Sequence, residues 1–182
     1  MTLVSLRQRL ADDTRSAHRA LHAHSLLQSL TASDVTLADY TAALSVFLRF
    51  HTAIEAERRR IARWHLYALK DWISAIASDL QTPLPDAPPF RLSSRFELLG
   101  ALYVAHGALL GRSVMRDPVA RALPHLPHVY LSRPFPMTKW RALSDLLERQ
   151  GRSPECYAEI RSGALQSFDL MTRLLAEKSP AT

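Results

Sequence analysis

Two histidines one helical turn apart give this chain its first chemistry. His18 and His22 stand in Ala17-His18-Arg19-Ala20-Leu21-His22, and four-residue spacing puts both on one face of a helix. His18 also falls one turn after Thr14 and two turns after Leu10, at the edge of an apolar stripe. An imidazole there can face the interior and offer one nitrogen to a metal, its other nitrogen held by an acceptor. The pair could also clamp one metal ion from a single face, or be an interior hydrogen-bonded histidine beside a solvent-facing one. Gly107 and Gly111 are the second feature. Only five glycines occur in 182 residues, and a glycine inside a helix costs ~1 kcal/mol against alanine. Two of them one turn apart on an apolar seam let a flat or bulky group touch the backbone. They could also let the helix bend or let a second helix pack closely.

Other chemistries are excluded by what is missing. The sequence holds no Gly-rich phosphate loop, no HExxH and no paired Glu-x-x-His elements, so nucleotide cradles and di-iron bundles are not expected. A single cysteine, Cys156, excludes a disulfide framework and cysteine metal cages. It has no base nearby in sequence and reads as structural. The formal charge is +6, from 23 basic and 17 acidic residues. Only Lys70, Lys139 and Lys178 are lysine, which leaves 20 arginines. The excess suits an anionic ligand. Its scatter along the chain argues against nucleic acid. Arg58-Arg59-Arg60 reads as a solvated helix end, and Trp64, Trp72 and Trp140 read as packing residues.

The elements that must position these residues are helical. With 47% hydrophobic residues and clear three-to-four spacing, the expected class is all-α, one domain of six to eight helices. Leu3, Leu6, Leu10, Thr14, Ala17 and Leu21 form one stripe. A second helix starts near Thr36 with the seam Tyr40, Leu44, Phe47, His51 and Ile54. A third spans Trp64 to Leu80. Pro83 to Pro89 is a surface loop, because proline cannot continue a helix. Ser94 and Glu97 form a capping box for a helix with the seam Phe96, Leu99, Tyr103, Gly107, Leu110 and Val114, and Pro118 lies at its end. Residues 124–136 are expected to be irregular. Thr138 caps Trp140 to Arg149, and Gly151 closes that helix. Pro154 opens the last one, with the seam Ile160, Ala164, Phe168, Met171 and Leu175. No stretch approaches the ~20 apolar residues of a membrane helix, and the N-terminus has no secretory pattern. The expected compartment is a reducing cytoplasm.

The segment Leu6-Arg7-Gln8 with Thr14-Arg15-Ser16-Ala17-His18 resembles the first helix of heme oxygenases, which carries a Thr-x-x-Ala-His element. Gly100-Ala101-Leu102-Tyr103-Val104-Ala105-His106-Gly107-Ala108-Leu109-Leu110-Gly111 resembles the distal helix of the bacterial branch. Trp140-Arg141, Gly163-Ala164 and Phe168 also look like that branch. The resemblance implies a helical fold that sandwiches heme as both cofactor and substrate. His18 would be the proximal iron ligand. Gly107 and Gly111 would bring the distal backbone close to the heme face and direct oxygen to a meso carbon. Arg15, Lys139 and Arg141 would pair with the propionates, Tyr103 would donate a hydrogen bond, and Phe168 would form a wall. The implied products are biliverdin, carbon monoxide and ferrous iron, with electrons from a ferredoxin or flavin reductase. A monomer or weak dimer is expected.

Several positions depart from that pattern. Arg112 stands where a further glycine is usual; its guanidinium could reach solvent, a propionate or the cavity, and it counts among the catalytic candidates with Gly107 and Gly111. Ala108 replaces a polar residue, so it cannot organise a proton-donating water. Ser113 replaces a glutamine. His106 replaces a frequent glutamate, as a misplaced ligand, a surface residue or a supporting group. These departures keep open a non-catalytic heme- or tetrapyrrole-binding protein, and a cofactor-free helical interaction protein.

Overall fold

A computed structural model describes residues 5–178, and Leu3 of the first stripe lies outside them. The regular elements among the described residues are all helices, with no strand. Ten α-helices follow one another: α1 Leu6–Asp13, α2 Arg15–His22, α3 Ser25–Ser29, α4 Leu37–Ile61, α5 Lys70–Leu80, α6 Arg95–Gly111, α7 Ser113–Ala122, α8 Val129–Ser132, α9 Met137–Gln150 and α10 Pro154–Ala176. One hydrophobic core runs from Leu10 to Leu175.

The most intimate packing joins α6 and α10. It depends on two glycines that the sequence did not single out for this role. A Cβ at Gly163 would overlap the Glu97 carbonyl, and one at Gly100 would overlap the Ile160 carbonyl. The two backbones therefore touch directly. Ser94 caps α6 by accepting from the N–H groups of Phe96 and Glu97. Glu97 does not close the box on Ser94. It is buried against α10 and accepts from the Ser93 N–H, the Ser162 hydroxyl and the Gln166 amide, which locks the same crossing. Around this pair, α4 packs on both α6 and α10, α5 packs on α4, and α2 packs on α10.

The arginine run at the end of α4 is a solvated end only at Arg59 and Arg60. Arg58 is buried and makes a two-pronged pair with buried Glu55, at 2.7 and 2.8 Å. Glu55 also accepts the Leu69 N–H that starts α5. Burial pushes the Glu55 carboxyl up, but hydrogen bonds from Arg58 and Leu69 outweigh this and hold it below the ordinary value. Arg60 pairs with Glu57, and Glu57 accepts the Leu92 N–H. These groups tie the end of α4 to the connections that precede and follow α5. Arg59 and Arg60 both remain exposed.

Four other expectations change. The first stripe breaks into α1 and α2, because the Thr14 hydroxyl takes the Leu10 carbonyl at 2.7 Å and bends the chain there. The distal stretch breaks too: α7 leaves α6 at 42°, and Pro118 sits inside α7, not at an end. The third helix begins only at Lys70, after Ala62 and Trp64 take left-handed backbone and His65–Tyr67 form one 3₁₀ turn. Thr138 is no cap: α9 starts at Met137 with no side-chain cap bond. No single helix among the described residues is long and apolar enough to cross a membrane.

The backbone contact predicts unequal glycines. Gly163→Ala and Gly100→Ala should each destabilise the fold by about 3 kcal/mol or more, since backbone cannot give way as a flexible side chain can. Urea unfolding measures this, and a loss under ~1 kcal/mol at both positions would show that the helices are free to separate.

Candidate functional site

α2 and α6 both lean on neighbours without filling the space between them, and a cavity of about 440 Å³ opens there. That size lies within the roughly 300–1,000 Å³ of small-molecule and cofactor sites. Phe168 and Met171 of α10 line it, as do Phe47 of α4, Leu21, Leu27, Val104 and Met115. Its polar lining is sparse and comes mainly from α1 and α2: Gln8, Asp12, Thr14, Arg15, His18 and His22, with Thr31 and Tyr103 besides.

The bend at Thr14 aims α2 into the cavity. None of the residues of α2 is buried, because its inner face looks into the cavity and not into the core. His18 and His22 share that face. Their Nε2 atoms are 3.2 Å apart and hydrogen-bonded, with tautomers left to the pair. The Phe168 ring stands edge-on to His18, centroids 6.1 Å apart. Burial first, then the neighbouring His22, lowers the His18 pKa, so the ring is uncharged at neutral pH. Arg15 lines the cavity and pairs with Asp12.

On the α6 side the wall is bare backbone. A Cβ at Gly107 would meet only the Trp140 ring, 4.0 Å away, and one at Gly111 would meet nothing within 4 Å. These glycines face open cavity, whereas Gly100 and Gly163 face backbone. Of the readings open for the distal pair, helix–helix packing therefore belongs to the other two glycines. Ala108 lines the cavity as well, and Tyr103 carries the one α6 hydroxyl on this wall. Burial raises the Tyr103 pKa, so the phenol stays protonated. Tyr103 stacks on Trp140, rings 5.4 Å apart and 27° from parallel.

Trp140 is the lining residue most plainly missed in the sequence, where it read as packing. Its inward direction also removes two expected partners. One helical step is about 100°, so Lys139 and Arg141 on either side of it do not line the cavity. Of the three basic candidates Arg15, Lys139 and Arg141, only Arg15 lines the cavity.

Arg112 takes none of its three expected positions. It is 4% exposed and points away from the cavity. Its guanidinium stacks on Trp72 at 4.4 Å and donates to the carbonyls of Leu109, Tyr130 and Arg133. It pins the α6–α7 bend to α8 and is not a catalytic candidate. Ser113 turns its hydroxyl back to the Leu110 carbonyl and is also off the wall. His106 is neither a surface residue nor a ligand. It is 1% exposed, lies 3.2 Å from the Tyr67 carbonyl, and burial lowers its pKa to about 4.

The residues fit a flat, mostly apolar group with one nitrogen ligand. A lone pair stands on the α2 side, and the α6 side has no Cβ to hold such a group off. No family model matches this sequence, and no curated protein matches it. Solved structures similar in fold include two heme oxygenases. The NO- and CO-bound heme oxygenase from Neisseria meningitidis superposes with a TM-score of 0.75 at 23% identity, covering 97% of this chain and 92% of that one. Heme oxygenase from Leptospira interrogans gives 0.70 at 19%, covering 96% and 100%. Those alignments span nearly the full length of all three chains, through the same all-helical architecture, so this chain has the heme oxygenase-like fold.

Proposed function

We propose that the chain is a heme oxygenase that binds heme in the cavity between α2 and α6 and opens it to biliverdin, carbon monoxide and ferrous iron. The observation that carries this reading is the pairing of an available imidazole, His18, with a side-chain-free stretch of helix at Gly107 and Gly111 across one apolar cavity. Heme, when bound, supplies both the iron that activates oxygen and the meso carbon that is oxidised. His18 Nε2 would hold the iron, which requires it to leave its contact with His22. Gly107 and Gly111 let the α6 backbone approach the ring and restrict where oxygen can lean. Phe168, Phe47 and Met171 exclude water from the apolar face. Arg15 would meet a propionate, a charge-assisted contact stronger than a neutral hydrogen bond. Electrons come from outside, from a ferredoxin or a flavin reductase.

Ala108 favours a second reading, a heme-binding protein without turnover. Beside Gly107 the α6 wall carries no side-chain acid to deliver protons, and Tyr103 Oη is its only hydroxyl. Arg112 does not line the cavity and so does not favour that second reading. One titration with two steps separates the readings. Hemin should give a Soret band that saturates at one equivalent, and His18→Ala should lose the histidine-ligated spectrum. Ascorbate with catalase should then bleach the band and raise biliverdin absorption. A stable ferrous spectrum supports the binder, and no saturable Soret band rejects both readings.

Gly107→Ala should act in opposite senses on the two properties. The protein without heme should gain up to ~1 kcal/mol in urea unfolding, from helix propensity in open space. Hemin affinity should fall by roughly tenfold or more, because the methyl group occupies the approach to the ring. Unchanged hemin affinity would show that the ring does not lie against this wall.

Arg112→Gly should not raise turnover. It should cost about 2–3 kcal/mol of stability, since three carbonyl contacts and a stacked cation are lost. A rise in turnover at unchanged stability would put the guanidinium back in the cavity.

A further inference from the structure

We infer that His18 and His22 form a two-histidine clamp for a divalent transition-metal ion, which competes with heme for His18. The competition rests on the heme reading, whereas the clamp stands on geometry alone. Two nitrogens at about 2.0–2.1 Å from one ion stand roughly 2.9–3.4 Å apart when the angle between them is about 90–110°. The two Nε2 atoms here are 3.2 Å apart. One ion can therefore replace the single proton they share, with rotation of the rings about their Cβ–Cγ bonds and no movement of the helix. Both residues are exposed to the open cavity, so an ion can reach them from solvent.

The donor set selects the ion. Imidazole nitrogens suit zinc, copper, nickel and ferrous iron, and they do not suit magnesium or calcium, which take oxygen. No third histidine, cysteine, aspartate or glutamate joins the pair among the described residues. The other coordination positions are left to water, as in an exchangeable site and unlike the closed four-ligand sites that hold structural zinc. Such a clamp occupies His18 Nε2, the nitrogen that heme iron needs. Divalent metal would therefore hold the protein in a form that does not load heme.

Zinc chloride titrated calorimetrically into the full chain, without hemin and without a purification tag, tests the clamp. The wild type should bind one equivalent, and His18→Gln and His22→Gln should each weaken that binding by roughly tenfold or more. Equal zinc binding by wild type and His22→Gln, or none by wild type, overturns the proposal. Hemin is then titrated with and without saturating zinc. Zinc should shift the Soret midpoint of the wild type to higher hemin by roughly tenfold or more, and should leave His22→Gln unmoved. An unmoved wild-type midpoint overturns the competition. If wild type shows no Soret band even without zinc, the heme reading falls and the competition with it, while the calorimetry still decides the clamp.

Discussion

The direct contact of the α6 and α10 backbones is the constraint from which the rest of the molecule is arranged. Gly100 and Gly163 each lie where any side chain would overlap a carbonyl of the other helix. The contact brings Glu97 against Ser162 and Gln166, whose bonds to its buried carboxylate fix the crossing in register. An unmet carboxylate there would cost several times a usual hydrogen bond. The cavity lies beside this crossing, between α2 and α6, with Phe168 and Met171 on its α10 side and Gly107 on its α6 side.

Two bends complete the geometry, and side chains cause both. Thr14 bends the first stripe by taking the Leu10 carbonyl, which turns α2 so that His18 and His22 face the cavity. Arg112 holds the 42° bend after Gly111 by reaching three carbonyls and the Trp72 face. The glycines thus divide by surroundings. Gly100 and Gly163 serve packing, and Gly107 and Gly111 leave a wall bare. The same residue type therefore carries stability in one pair and leaves room for a ligand in the other.

Much of this was legible in the sequence, and the failures have physical causes. Helical class and the starts near Thr36, Ser94 and Ser153 follow from local spacing, whereas a common region for His18, Gly107, Tyr103 and Phe168 was implied only by the family resemblance. Spacing along one helix says nothing of which partner meets which face. For that reason Gly100 and Gly163 went unremarked as contact residues, while helix packing stood open for Gly107 and Gly111. Arg112, Arg58 and His106 were misplaced for one common reason. A charged or polar residue reads as exposed unless a partner is known; those of Arg112 and His106 lie far along the chain, at Tyr130 and Arg133 and at Tyr67, and Arg58 pairs with a glutamate that is itself buried. Lys139 and Arg141 lie off the cavity lining because Trp140 between them points inward, a direction set by tertiary packing.

The central claim is that one imidazole and one bare stretch of helix face each other across a cavity made for a flat ring. A crystal structure of the protein grown with hemin tests this most directly. The account predicts heme between α2 and α6, with His18 Nε2 on the iron and the opposite ring face against the backbone at Gly107 and Gly111. Heme held by any other residue, or a cavity without heme beside hemin bound elsewhere on the surface, would contradict it.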